Sequence, residues 1–189
     1  MGTSSHSAVV MSHLFLRDNI RPGDRVVDAT CGNGNDTLLL AMLVGPEGTV
    51  FAFDVQEQAL ANTKLLLEKN GCLERVRLFH AGHEELAKYV KMQVQEVVFN
   101  LGYLPGSDKS CMTRPETTLA ALEQAAGITL MGGVIIAVVY PGHKGGDEEA
   151  AAVEGWFAAL SPKNFCVWCS RQINHMPTAP YVIVAWKVF

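Results

Sequence analysis

The chain has 189 residues, 49% of them hydrophobic and 18% charged, with a formal net charge of −4 and five cysteines. That length fits one domain with a full core, and the composition is ordinary for an α/β enzyme. No apolar run approaches the ~18 residues of a membrane span, and the acidic balance gives no support to a partner gripped by overall charge, such as long duplex nucleic acid, though it leaves a local basic patch open.

The opening M-G-T-S-S-H-S has no basic flank before an apolar core, so no secretory signal is expected. Ser7 to Ile20 reads as an amphipathic helix with Val10, Leu14 and Arg17 along one stripe. His13 on this helix is read either as a partly buried structural residue or as a substrate contact. Pro22-Gly23-Asp24 then turns the chain into a short apolar strand, Arg25 to Asp28.

The stretch R-V-V-D-A-T-C-G-N-G-N-D-T, from Arg25 to Thr37, is a strand, a glycine turn and a helix start. Glycines at 32 and 34 let backbone approach a ligand, and the helix amino terminus offers free N–H groups. A dinucleotide site wants a third glycine, but Thr37 stands there, and Asp28 and Asp36 flank the turn. Two carboxylates suit a pyrophosphate poorly. They suit a cofactor with a cationic amino-acid tail, such as S-adenosylmethionine. A dinucleotide site and an unliganded glycine turn are the alternatives.

Strand two, Thr49 to Asp54, ends in a second acid, placed to accept hydrogen bonds from ribose hydroxyls. Gln56 to Asn70 is a helix with Leu60, Leu65 and Leu67 inward and Gly71 as its stop. Strand three runs from Arg75 to His80. His83, next along, is placed either against an adenine ring or as a helix cap. Strand four runs from Glu96 to Leu101 and leads into N-L-G-Y-L-P-G. A helix follows from Pro115 to about Leu130, then Gly132-Gly133 leads into the apolar run V-I-I-A-V-V-Y of a central parallel strand. The next helix spans about Asp147 to Leu160. Strands Phe165 to Arg171 and Tyr181 to Val188 are joined by too short a loop for a crossover, so they should pair antiparallel. Cys166 and Cys169 fall on opposite faces of the first of these, which argues against a shared metal ion. The odd, scattered cysteines point to a reducing compartment.

Seven strands with helices between the first six bring Asp28, Asp54, His80, Asn100, Tyr140 and the last hairpin loop to one edge of the sheet. Ligands in open parallel sheets bind at that edge.

The blocks D-A-T-C-G-N-G-N-D-T, F-D-V-Q, H-E-E-L, N-L-G-Y-L-P-G-S-D-K-S, T-R-P-E-T-T and Y-P-G-H-K-G-G-D-E-E together resemble one family, the small class I methyltransferases labelled rRNA methylases. The resemblance covers about Ser7 to Lys187, and the final hairpin matches it less fully. Known members methylate the wobble 5-aminomethyl-2-thiouridine of tRNA. The resemblance implies a Rossmann-like, mostly parallel sheet of order 3-2-1-4-5-7-6 with strand seven antiparallel. It also implies a single S-adenosylmethionine-dependent methyltransferase domain over residues 1–189.

By that resemblance the methionine part of the cofactor falls to Asp28, Thr30, Gly32, Asn33, Gly34, Asn35, Asp36 and Thr37. The ribose falls to Asp54 and the adenine end to Gln56 and His83, with Asn100 facing both cofactor and substrate. An Asn carbonyl at that place accepts a hydrogen bond from an amine and orients its lone pair, which fits N-methylation. An alkylammonium must also lose a proton, for which Tyr103, Asp108 and His143 are candidates. His13, Lys109, Arg114, Tyr140, Lys144, Asn174 and Pro177 are the candidate substrate contacts. The partner is then the anticodon stem-loop of tRNA, without metal or membrane, in the cytoplasm or in an organelle after loss of a transit peptide, with a homodimer left open. Another RNA such as rRNA, a small amine, and a non-enzymatic cofactor-binding role are the competing readings.

Overall fold

The computed structural model describes residues 7–102, 113–142 and 145–188. In chain order the elements are α1 (Ala8–Asn19), β1 (Arg25–Asp28), α2 (Asn35–Val44), β2 (Thr49–Asp54), α3 (Glu57–Lys69), β3 (Val76–His80) and α4 (Leu86–Tyr89). Then follow β4 (Val94–Asn100), α5 (Pro115–Ile128), β5 (Thr129–Val139), α6 (Gly146–Ala159), β6 (Phe165–Ser170) and β7 (Tyr181–Lys187). The sheet has seven strands in the order β3-β2-β1-β4-β5-β7-β6. β7 runs antiparallel to both neighbours, as the short loop before it requires. The expected class I methyltransferase sheet is therefore the observed one.

The sheet is covered on both faces. Leu16 of α1 and Ile20 just after it, Leu40 and Val44 of α2 and Leu67 of α3 pack with Val26, Val98 and Ile136 on one side. Leu86 of α4, Leu122 of α5 and Val153 and Phe157 of α6 pack with Val27, Phe99 and Ile135 on the other. Strands buried on both faces have no polar side to show, which is why β5 is almost wholly apolar.

Three local expectations are corrected. The inward face of α1 is Ser12 and Leu16, not Val10, Leu14 and Arg17; Leu14 is exposed. Ser12 can be buried because its hydroxyl donates to the Val9 carbonyl within the helix (2.8 Å). On α3 the fully buried residues are Ala59, Thr63 and Leu67, spaced four apart, with Leu60 packed against the same core as expected, while Leu65 turns outward at 65% exposure. Finally, α5 stops at Ile128 and the strand starts at Thr129, so Gly132-Gly133 lies inside β5. Its register against β4 slips between Val94 and Glu96. A Cβ at Gly133 would meet the Gln95 carbonyl at 2.6 Å, so the slip needs glycine there. The α3 stop is as expected: the Gly71 and Cys72 amides donate to the Glu68 and Leu67 carbonyls, with Gly71 at φ +64°.

Candidate active site

The crest of the sheet, where β1, β2 and β4 end, is built around three carboxylates. Asp28 closes β1 and is 1% exposed. One of its oxygens accepts the Thr37 hydroxyl (2.6 Å) and the other the Thr30 amide (3.2 Å). Burial, then the nearby Asp36 charge, push its carboxyl up from 3.8 to about 7. Asp54 closes β2; it accepts the Gly32 amide (2.9 Å) and the Gln56 amide (2.8 Å). That ties the glycine turn to the second strand.

Asp36, in the first turn of α2, is the junction. Its Oδ1 meets His13 Nε2 at 2.7 Å, and its Oδ2 accepts the Asn100 side-chain amide at 3.0 Å. The Asn100 backbone amide donates to the Thr30 hydroxyl (2.7 Å). An ionised carboxylate only accepts hydrogen bonds, so the Asn100 NH2 must face Asp36 and its carbonyl oxygen must face away. Tyr140, just past β5, is half-buried. Burial and the Asp36 charge hold its phenol up at about 12, so it stays neutral.

The turn itself is shaped by close packing. Gly34 has φ +82°, and a Cβ there would come within 2.8–2.9 Å of Thr63, including its backbone. Thr63, fully buried on α3, donates to the Gly32 carbonyl (2.9 Å). Asn62 on the same helix donates to the Asn33 side chain (3.1 Å).

The structure brings His13, Asp28, Thr30, Gly32, Asp36, Asp54 and Asn100 together through these bonds. Asn33 and Asn35 are exposed on the turn, and Gln56 lies beside Asp54. Thr37 is fully buried with its hydroxyl on Asp28, so it acts on that carboxylate and not on a ligand directly. His83 caps no helix: it is buried against Phe99, bonded to the Ala29 carbonyl, with Nε2 unpartnered among the described residues. His80 is exposed, its Nε2 on the Val55 carbonyl, and belongs to the rim. Arg114 precedes α5, exposed on the same edge. Asn174 and Pro177 lie in the exposed hairpin loop, which reaches the site edge where Thr178 approaches Gly142. Tyr103, Asp108, Lys109, His143 and Lys144 lie outside the described residues. Cys166 and Cys169 do face opposite ways from β6, one toward the Trp168 side chain and the other toward Arg171.

Sequence reading missed Thr63 and Glu149. The spacing of Ala59, Thr63 and Leu67 would have turned Thr63 inward. Nothing marked Glu149, an acid in a helix first turn, as the buried acceptor of the Thr113 and Thr118 hydroxyls (2.7 and 2.6 Å). Those bonds anchor the chain that follows Asn100, because Thr113 also pairs with the Gly102 backbone.

The donor set fits S-adenosylmethionine. Acceptor-rich carboxylates face a turn whose backbone leaves no room for a Cβ at Gly34, and the Asp54 oxygens keep free lone pairs for hydroxyl donors. A pyrophosphate would meet like charge.

Comparisons with known proteins agree. The family model described as "Putative rRNA methylase" matches residues 50–186. The chain is 40% identical, over 95% of its length and 69% of the relative's, to the chloroplastic tRNA (mnm(5)s(2)U34)-methyltransferase of Arabidopsis thaliana. It superposes on the rRNA methylase structure from Clostridium thermocellum with a TM-score of 0.94 at 40% identity, all of both chains covered. A methyltransferase from Streptococcus mutans, solved in complex with SAH, gives 0.88 at 35% identity, again over all of both chains. With a family model matched across most of its length and relatives alike from end to end, this chain belongs to the rRNA methylase family and is an S-adenosylmethionine-dependent methyltransferase.

Proposed function

We propose that the enzyme N-methylates the aminomethyl group of wobble 5-aminomethyl-2-thiouridine in tRNA, working as a single domain over its 189 residues. The observation that carries this reading is the orientation of Asn100. Its amide is held by Asp36, so the carbonyl oxygen is left to accept a hydrogen bond from a substrate amine. A carbon nucleophile would have no N–H to offer it. The likeness to the Arabidopsis enzyme supports the same substrate.

Bound S-adenosylmethionine supplies an electrophilic methyl on a sulfonium. The rest falls to the chain. Asp28, Asp36 and the turn from Thr30 to Asn35 hold the methionine end, with Thr37 fixing Asp28. Asp54 takes the ribose hydroxyls, and Gln56 with His83 borders the adenine. Asn100 fixes the amine so that its lone pair points along the reaction line; such positioning supplies on the order of 7 kcal/mol or more. His13, Arg114, Tyr140, Asn174 and Pro177 lie on the substrate side, with Lys109 and Lys144 as phosphate contacts. Tyr103, Asp108 and His143 stay as candidates around the amine. The partner is the anticodon stem-loop. No helix among the described residues is long and apolar enough to cross a membrane, and the proposed setting is the cytoplasm or an organellar stroma.

The family's label favours a second reading, methylation of rRNA. The experiment is labelled S-adenosylmethionine with tRNA from cells lacking the activity, followed by nucleoside digestion. Label in 5-methylaminomethyl-2-thiouridine is the expected result. Label only in rRNA, or none with cofactor binding intact, overturns the proposal.

A further inference from the structure

The crest holds a carboxylate–imidazole pair that cofactor binding alone does not call for. His13 comes from α1, 23 residues before Asp36, and its Nε2 lies 2.7 Å from Asp36 Oδ1. The other oxygen of the same carboxylate holds Asn100. Imidazole and amide thus hang on the two oxygens of one group. An amine accepted by the Asn100 carbonyl would approach the same carboxylate junction that holds the imidazole.

We propose that His13 is the general base of the reaction, with Asp36 as the residue that fixes its tautomer and Asn100 as the residue that presents the amine to it. This rests on the amine reading of the substrate. Asp36 accepts, so His13 carries its proton on Nε2 and leaves the Nδ1 lone pair free. The substrate arrives as an alkylammonium, R–CH2–NH3+. One N–H proton passes to His13 Nδ1, and the freed lone pair forms the new nitrogen–carbon bond as the methyl–sulfur bond breaks, its electron pair leaving with the neutral thioether S-adenosylhomocysteine. The product leaves as R–CH2–NH2+–CH3, so one proton is released overall, and it departs from His13. The side chain is 26% exposed, which gives that proton a path to water.

The groups around His13 support the assignment. Asp28 lies behind Asp36, close enough for the two charges to act on each other. Tyr140 faces the same carboxylate and stays neutral. Arg17 is one turn further along α1 and exposed. From β4 comes Glu96, at the far end of that strand, and the Lys187 ammonium of β7 is tied to the Ala126 and Thr129 carbonyls. Asp36 is thus the charged group bonded to the ring, and it selects the tautomer a base needs.

The test uses the full-length enzyme. Ring-nitrogen NMR, with and without S-adenosylhomocysteine, reads the tautomer without any turnover. At pH 8 a protonated Nε2 and a bare Nδ1 are expected for His13, and Asp36→Asn should scramble that preference. In parallel, kcat/KM is measured against pH for wild type, His13→Gln and His13→Ala on tRNA bearing the aminomethyl precursor. Both variants should lose about a hundredfold near pH 7. The deficit should shrink as pH rises toward the amine's own range, around 10, where free base forms unaided. Added imidazole should restore part of the His13→Ala activity, and cofactor affinity should not change. A variant profile parallel to wild type and within about threefold of it overturns the proposal, as does an Nδ1 still protonated at pH 8. A wild type inactive on that tRNA but active on another acceptor overturns the amine reading instead, and this inference with it.

Discussion

Glu96 and Asn100 lie four residues apart on one strand, β4, and so on the same face of the sheet, yet their surroundings are opposite. At the crest, Asn100 has its backbone amide on Thr30 and its side-chain amide on Asp36. At the foot, Glu96 is fully buried, and neither carboxylate oxygen has a partner among the described residues. The crest carries three acids, each held by amides, hydroxyls or a histidine. The buried acid at the foot is paired across β1 and β5 with Val26 and Val134, and Asp24 near it adds only like charge. A prearranged polar network is what a ligand needs, since bonds already made cost no reordering when it arrives. The buried acid below it lacks that support and bears on stability instead.

The comparison breaks most visibly if Asn100 proves dispensable. Asn100→Ala is expected to lower kcat about 10²–10³-fold, because both the amine acceptor and the Asp36 partner are lost. S-adenosylmethionine affinity, measured by calorimetry, should stay within about fivefold. A loss confined to cofactor affinity would make Asn100 a cofactor ligand alone and sink its substrate role.

Gly34→Ala probes how firmly the crest is built. The residue would sit at φ +82° with its Cβ within 2.9 Å of the Thr63 backbone, so α3 must retreat. Left-handed strain and overpacking together should cost about 2–3 kcal/mol in urea unfolding. Cofactor binding should weaken with it, since Thr63 also holds the Gly32 carbonyl. A fully stable variant that binds normally would show the turn to be loose.

Much of this was legible before the structure. The strand count followed from apolar runs ending at Asp28, Asp54 and Asn100, because a buried strand must end where a polar group can find partners; the strand order came from the family resemblance. The crest acids were legible for the same reason. The links between them were not. That Asp36 joins His13 to Asn100 depends on how α1 lies across β4 and β5, and the stripe read on α1 pointed at Leu14 instead of Ser12. Apolar periodicity fails there because a serine satisfied inside its own helix buries as readily as a small hydrophobe. Thr63 hid for a related reason: a helix with leucines at 60, 65, 66 and 67 offers several apolar stripes, and only packing against the glycine turn chooses one.

The smallest effect, and the one that sharpens the comparison most, belongs to Glu96. Burial, with Asp24 adding to it, holds its carboxyl well above the usual 4.5. At low pH it is neutral in folded and unfolded chains alike. As pH rises past 4.5 the unfolded chain ionises there and the folded one does not, so stability falls until pH passes the folded value. Asp28 contributes the same sign between 3.8 and about 7 in the free enzyme. Glu96→Met keeps the volume and removes the ionisation. It should match wild type near pH 4 and exceed it by about 1–2 kcal/mol at pH 8, with methyl transfer within twofold. The slope that remains between pH 4 and 7 should then belong to Asp28, and a saturating cofactor should flatten it, because a cation facing that carboxylate favours its charged form. Identical pH slopes for Glu96→Met and wild type would mean that Glu96 has found a partner in solution, and the contrast between the two ends of β4 would disappear.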